Sequence, residues 1–301
     1  MMPVFSLYVS LRRCVQVLTG LVFCLLPWLN ALGVQWISGS LFALDLKGVP
    51  FADPVAVLQV AAGGFAPAGR LLAGAALSLA LALSLGRVFC SWICPYGLFS
   101  ELIYGLRRRA AGTRAESGPV WRDRAFLLKA GIVLLGLAGA VALGFPLLSQ
   151  ISMPGELSLA PLVVWQEAGR ATAAALPILL FGILALPGAL LAVEAFSGKR
   201  FWCRYICPQS VLLGLAARCL PARLPGLRVR WRAIDCTCKE EKPCRAACSL
   251  ALNPRQLDGP SRRDCTMCGD CLKACAGRGG ALRWQWRAAV RHKPGGGGIG
   301  S

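Results

Sequence analysis

The stretch Cys265-Thr266-Met267-Cys268-Gly269-Asp270-Cys271-Leu272-Lys273-Ala274-Cys275 carries its cysteines as C-x₂-C-x₂-C-x₃-C. That spacing holds a [4Fe–4S] cluster: three thiolates sit on one tight loop around a cube, and the fourth reaches a neighbouring cube. Zinc sites pair their cysteines across a longer insert, so the run is a poor zinc motif. The reading makes the end of the chain a small α+β cluster-binding domain and the whole molecule an electron carrier.

The composition divides the chain. It has 301 residues, 56% of them hydrophobic, and the long apolar runs all precede about residue 195. Fifteen cysteines are present, eight of them in the polar tail at cluster-like spacings, which argues against a secreted disulfide scaffold. The net charge of +19 fits basic cytoplasmic loops and a domain lying on an anionic membrane surface. No nucleic-acid recognition motif accompanies it. His292 is the sole histidine, so paired-histidine haem binding between helices is excluded for this chain alone.

Four stretches, near 14–36, 70–89, 125–148 and 171–193, are apolar enough to predict transmembrane helices, the first kinked at Pro27. A cleaved signal peptide is not expected, because the first run is long and lacks a small-residue cleavage site. Arg12 and Arg13 precede the first span, a basic cluster from Arg87 to Arg124 joins the second and third, and Lys199, Arg200 and Arg204 follow the fourth. The loop 38–69 carries only Lys47, and the loop 149–169 has no Lys or Arg. By the positive-inside rule both termini are cytoplasmic in a bacterial inner membrane.

Spans two and four end alike: Arg87-Val88-Phe89-Cys90-Ser91-Trp92-Ile93-Cys94-Pro95 and Arg200-Phe201-Trp202-Cys203-Arg204-Tyr205-Ile206-Cys207-Pro208. Each is C-x₃-C-P at a cytoplasmic boundary, so the membrane part, 1–225, reads as two duplicated hairpins related by a pseudo-two-fold axis. If each pair is helical, its two sulfurs share a face. Two such faces would converge Cys90, Cys94, Cys203 and Cys207, a soft donor set for a further cluster or another soft metal. A redox dithiol, or four small buried residues, are the other readings. Cys14, Cys24 and Cys219 stand alone and read as small buried hydrophobes.

Upstream of the clean run lies Cys236-Thr237-Cys238-Lys239-Glu240-Glu241-Lys242-Pro243-Cys244-Arg245-Ala246-Ala247-Cys248. Counted from Cys238, the second ligand position is Glu241. Cys236 replaces the missing thiolate, Glu241 ligates through oxygen, or the cluster is incomplete; the first is preferred because thiolate is iron's usual partner here. In two-cluster ferredoxins the fourth cysteine of each run serves the other cluster. Cys236, Cys238, Cys244 and Cys275 would then hold one cube, and Cys265, Cys268, Cys271 and Cys248 the other. The ferredoxin-type domain spans 226–293, and the glycine-rich tail 294–301 is expected to be disordered.

Taken together, these residues resemble the NapH/MauN-type ferredoxin membrane proteins, relatives of the membrane halves of the nitrous-oxide-reductase regulator and of the CcoG-type polyferredoxins. The stretches Gly86-Arg87-Val88-Phe89-Cys90-Ser91-Trp92-Ile93-Cys94-Pro95-Tyr96-Gly97 and Trp202-Cys203-Arg204-Tyr205-Ile206-Cys207-Pro208 are similar to that family's hallmark. Asp53-Pro54-Val55-Ala56-Val57-Leu58-Gln59 is similar to its first outer loop. Gln209-Ser210 departs from the Tyr96-Gly97 of the first copy. The resemblance implies a four-span quinol-linked electron-transfer subunit, a quinol dehydrogenase component that passes electrons to a periplasmic or membrane redox partner. A quinol route also needs a proton acceptor; Trp92, Tyr96 and Glu101 at one boundary, Glu194 near the other and Asp53 are candidates, set against simple interfacial anchoring. The rival functions are a maturation factor that reduces a metal or thiol for a partner enzyme, and a redox-reporting anchor.

Overall fold

The computed structural model describes residues 2–33, 36–110, 122–168, 175–219, 226–238, 242–257 and 260–287. Helix α1 (Met2–Ala31) leads into a three-stranded antiparallel meander, β1 (Ile37–Gly39), β2 (Ala43–Leu46) and β3 (Val49–Ala52). Then come α2 (Pro54–Ala62), α3 (Gly69–Leu85), the single turn α4 (Phe89–Trp92) and α5 (Pro95–Ala110). The second half repeats the plan: α6 (Arg122–Leu143), a short α7 (Leu147–Gln150), α8 (Met153–Ala168), α9 (Ala175–Ser197), a π-turn (Trp202–Ile206) and α10 (Gln209–Arg218).

The duplication is visible in reciprocal packing. Helix α2 lies on α6, and its counterpart α8 lies on α1. Likewise α3 packs against α10, and α9 against α5. Each half therefore packs the helix that precedes its own C-x₃-C-P against the helix that follows the other half's. The two preceding helices, α3 and α9, stop at a left-handed glycine, Gly86 (φ +79°) and Gly198 (φ +63°), which turns the chain into the motif.

Three helices, Leu7–Ala31, Arg124–Leu143 and Leu180–Ser197, are long and apolar enough to cross a membrane among the described residues. The expected second span, Gly69–Leu85, is apolar but only 17 residues long. At 1.5 Å per residue it reaches about 26 Å, short of about 30 Å of hydrocarbon. The first helix begins well before residue 14, runs unbroken through Pro27, and takes Arg12 into its buried face. The two expected outer loops also fold: 37–62 forms the meander and α2, and 153–168 forms α8. Asp53 caps α2 by accepting from the Val55 N–H at 2.9 Å, with Pro54 at the first helical position, a favourable start that the apolar run then extends.

The tail opens on β4 (Gly226–Trp231), which pairs antiparallel with the last strand, β5 (Leu282–Arg287), with Gly226 opposite Arg287 and Trp231 opposite Leu282. Between them lie α11 (Pro243–Ala246), α12 (Asp270–Ala276) and short 3₁₀ turns. Val229, Leu250, Leu252, Leu257, Leu272 and Leu282 form the core together with Cys244, Cys271 and Cys275. This α+β unit is seated on the helical part: α12 packs on α1, and the 260–264 turn on α10. His292, Glu241 and the 294–301 tail lie outside the described residues.

Candidate iron–sulfur centres

Both C-x₃-C segments are wide turns. The Cys94 N–H donates to the Phe89 carbonyl at 3.1 Å and the Cys207 N–H to the Trp202 carbonyl at 3.0 Å, each spanning five residues. Such widened turns recur at functional sites. The crossing of the two halves brings the turns together, and Cys94, Cys207, Tyr96, Trp202 and Met153 share one buried cluster with Cys203 against it. Burial, reinforced by Cys90 and Cys203, pushes the Cys94 thiol well up. Burial, then Cys90 and Cys203, pushes Cys207 up to about 12. The four thiols the sequence singled out therefore feel one another across the repeat interface.

Two arginines face these sulfurs. Arg87 Nη2 donates to Cys90 Sγ at 3.7 Å and Arg200 Nη2 to Cys203 Sγ at 3.5 Å, each three residues before its cysteine. Both guanidiniums are almost wholly buried, at 1% and 2% exposure. A buried cation costs several kcal/mol unless it is compensated. Glu101 supplies part of that charge: it takes Arg12 Nη1 at 2.6 Å and Arg200 Nη1 at 3.3 Å. Arg87 has no carboxylate ion pair among the described residues at this range, and its nearest anionic candidates are the thiols and Asp264. A set of thiolates around a cluster would provide the missing negative charge. Backbone donors are also in place: the Gly97 N–H reaches Cys94 Sγ at 3.4 Å, and the Ser210 N–H serves Cys207. Hydrogen bonds to sulfur are among the levers that set cluster potential. The donor set thus fits an iron–sulfur cluster.

The tail thiols fall into two groups. Cys271 senses Cys268, Cys265 and Cys248, while Cys238 and Cys244 both sense Cys275. The fourth cysteine of each run thus stands with the other run. Cys236 neighbours Cys238, and its Sγ accepts from Arg255 Nη2 at 3.3 Å. Its thiol is shifted down, first by its hydrogen bond with the Cys238 backbone. Backbone N–H groups of Met267 and Leu252 reach Cys265 Sγ at 3.5 Å and Cys248 Sγ at 3.4 Å. Burial pushes Cys265 up to about 11. Among the described residues no three His, Cys, Asp or Glu side chains close on one point as a single-ion site. A cube presents its irons at separate corners, so its thiolates need not converge on a point.

The group of Cys248, Cys265, Cys268 and Cys271 is the one that touches the membrane motifs. The Ser91 hydroxyl donates to the Thr266 carbonyl at 2.6 Å, and Arg87 Nη1 donates to the Arg263 carbonyl at 3.2 Å. From the other copy, Arg204 donates to the Leu250 carbonyl and Arg200 Nη1 to Ser249 Oγ at 3.3 Å. Tyr8 adds a strut: its hydroxyl donates to the Met267 carbonyl at 3.1 Å while its ring packs edge-on to Trp92 and tilted on Trp284. Gly269 admits that ring, since a Cβ there would lie 2.9 Å from it.

Several expectations need revision. Glu101 is locked between two arginines, and Glu194 accepts from Ser100 and from the Trp202 N–H at 2.9 Å, so neither carboxylate is an open proton acceptor. Trp92 braces Tyr8 instead of lying free at an interface. Cys14, Cys24 and Cys219 are exposed, not buried: the first two lie on α1, and Cys219 caps the end of α10. No disulfide joins any of the fifteen cysteines. Sequence reasoning passed over Arg87 and Arg200 as sulfur donors; the repeated Arg three residues before each first cysteine was the available signal.

Comparisons with known proteins agree with this picture. The model of a 4Fe-4S binding domain family matches the chain twice, at residues 67–114 and 179–230, each match containing one C-x₃-C-P. The ferredoxin-type protein NapH of Escherichia coli (strain K12) is 26% identical over 291 residues, covering 94% of this chain and 92% of the relative. The methylamine utilization ferredoxin-type protein MauN of Methylorubrum extorquens is 28% identical over 271 residues, covering 88% and 74%. Protein NirI of Paracoccus denitrificans is 28% identical over 185 residues, 61% of this chain and 24% of the relative. No solved structure matches. The resemblance to NapH/MauN-type ferredoxin proteins holds over most of the chain, the 4Fe-4S binding domain matches fall on both C-x₃-C-P segments, and three helices among the described residues are long and apolar enough to cross a membrane.

Proposed function

We propose that this chain is a quinol-linked relay of the bacterial inner membrane. It takes electrons from the quinol pool and passes them through iron–sulfur centres toward a periplasmic or membrane oxidoreductase. In this reading residues 1–225 form a four-span membrane domain, the short α3 being the second span, with both termini cytoplasmic. Residues 226–293 form the ferredoxin-type domain.

Two [4Fe–4S] clusters are held in that domain, one by Cys236, Cys238, Cys244 and Cys275, the other by Cys265, Cys268, Cys271 and Cys248. A further cluster is held by Cys90, Cys94, Cys203 and Cys207. Bound there, the clusters supply one-electron chemistry near the membrane surface. The chain's own residues desolvate the thiols, donate N–H groups to sulfur and place buried guanidiniums beside the membrane set.

The observation that carries the reading is the docking of the tail onto both C-x₃-C-P turns: Arg87 and Ser91 of the first bond the Arg263 and Thr266 carbonyls beside Cys265, and Arg200 and Arg204 of the second bond Ser249 and Leu250 beside Cys248. It supports a route between the membrane thiols and the tail. The test is anaerobic purification with EPR and addition of a quinol analogue. Reduction of the tail clusters, with one signal lost in Cys271→Ala, is the expected result. Clusters that a quinol never reduces would defeat the proposal.

A further inference from the structure

A cavity of about 170 Å³ lies between the meander, the end of α3 and the start of α10. Its walls are apolar, with Leu44, Phe51, Leu81 and Leu213 among them, and its mouth is flanked by Leu81 and Ile93, both more than a third exposed on the helical surface. Asp53, Gln209 and Arg87 form the only charged or amide-bearing part of that lining. Asp53 is 5% exposed and takes hydrogen bonds from the Val55 N–H and the Gln209 side chain. Arg87 Nε is buried with no hydrogen-bond partner among the described residues, while Nη2 of the same guanidinium faces Cys90.

We infer that this cavity binds the ring of a lipid-borne quinol, with Asp53 and Gln209 hydrogen-bonding a ring oxygen and the isoprenoid tail leaving past Leu81 and Ile93. The assignment rests on the quinol-linked reading above and gives it an address. The chemistry of the lining selects this class of ligand. An acyl chain would leave the buried Arg87 Nε, which has no hydrogen-bond partner among the described residues, facing hydrocarbon, a costly arrangement. A phosphate headgroup would meet the Asp53 carboxyl at close range. A neutral ring with a hydroxyl fills the apolar space and answers the polar end, as small-molecule sites do. The ring would also stand one side chain, Arg87, away from the Cys90 sulfur.

The experiment uses the full chain, purified anaerobically in detergent, and a photoreactive azidobenzoquinone whose attachment is mapped by peptide mass spectrometry. Label is expected within 41–54, 81–93 or 209–213 and is displaced by excess decylubiquinol. Asp53→Asn keeps a good helix cap and should weaken that displacement about tenfold, the size expected for losing a hydrogen bond to an ionisable group. Leu81→Trp, which fills the cavity, should abolish the label while cluster EPR signals stay unchanged. Label at other segments, or displacement indifferent to both substitutions, overturns the assignment. Clusters reduced by quinol with label elsewhere would overturn the pocket alone. Label in the cavity with clusters never reduced by quinol would leave the pocket standing and remove the electron-transfer reading.

Discussion

At the residue scale the decisive groups are the buried ions around the C-x₃-C-P turns. Glu101 holds Arg12 and Arg200 at once, and all three side chains are almost fully buried. Glu101→Gln leaves two guanidiniums short of a counter-charge. It should cost about 3–5 kcal/mol, the usual penalty for breaking a buried pair, read as a lower unfolding midpoint of the purified chain. Arg200→Gln probes electrostatics at the sulfur. Losing a positive charge beside Cys203 favours the more oxidised state of a cluster there, so its midpoint potential should fall, of the order of tens of millivolts, in an EPR-monitored titration. An unchanged potential would mean that Arg200 serves packing alone. The candidate cysteines were singled out by spacing alone. The arginines were printed in both copies of the motif, yet their direction toward sulfur depends on how Gly86 and Gly198 turn the chain, which no spacing reveals.

At the scale of elements, the two halves share a plan without being interchangeable. A Cβ at Gly97 would stand 2.5 Å from the Cys90 carbonyl oxygen, whereas the matching position in the second copy is Ser210, whose hydroxyl donates to the Cys207 carbonyl at 2.7 Å. Gly97→Ser therefore imports the second copy's residue into a turn with no room for it. It should distort the Cys90–Cys94 turn at a cost of about 1–3 kcal/mol and broaden or remove the EPR signal of the membrane centre, while Ser210→Gly has little effect. Hydropathy located the apolar runs, and the helices α1, α3, α6 and α9 fall on them. It did not reveal that α1 begins earlier, because Arg12 and Arg13 read as headgroup-level charges until Glu101 and Asp270 are brought to Arg12 by other elements. Nor did it reveal α2 and α8. Those stretches lack the length of a span, and their helicity depends on packing against α6 and α1.

At the scale of the whole molecule, order follows from contact. The Cys248, Cys265, Cys268 and Cys271 group lies against the C-x₃-C-P motifs, while Cys238 and Cys244 sense Cys275 in the same tail domain. This sequence of thiol groups is the path the proposed relay would use, with the cavity at Asp53 feeding its membrane end. The ferredoxin pattern supplies the expectation that each run's fourth cysteine serves the other run, but the docking of the tail was not legible, because Tyr8, Ser91 and Arg204 carry no signature for their backbone partners. The most direct test of the central claim is the iron and acid-labile sulfide content, with EPR, of the anaerobically purified chain beside the Cys94→Ser/Cys207→Ser double variant. The account predicts that the variant loses one cluster's worth of iron and one signal while the tail clusters remain. Equal iron content and identical spectra in the two proteins would contradict it.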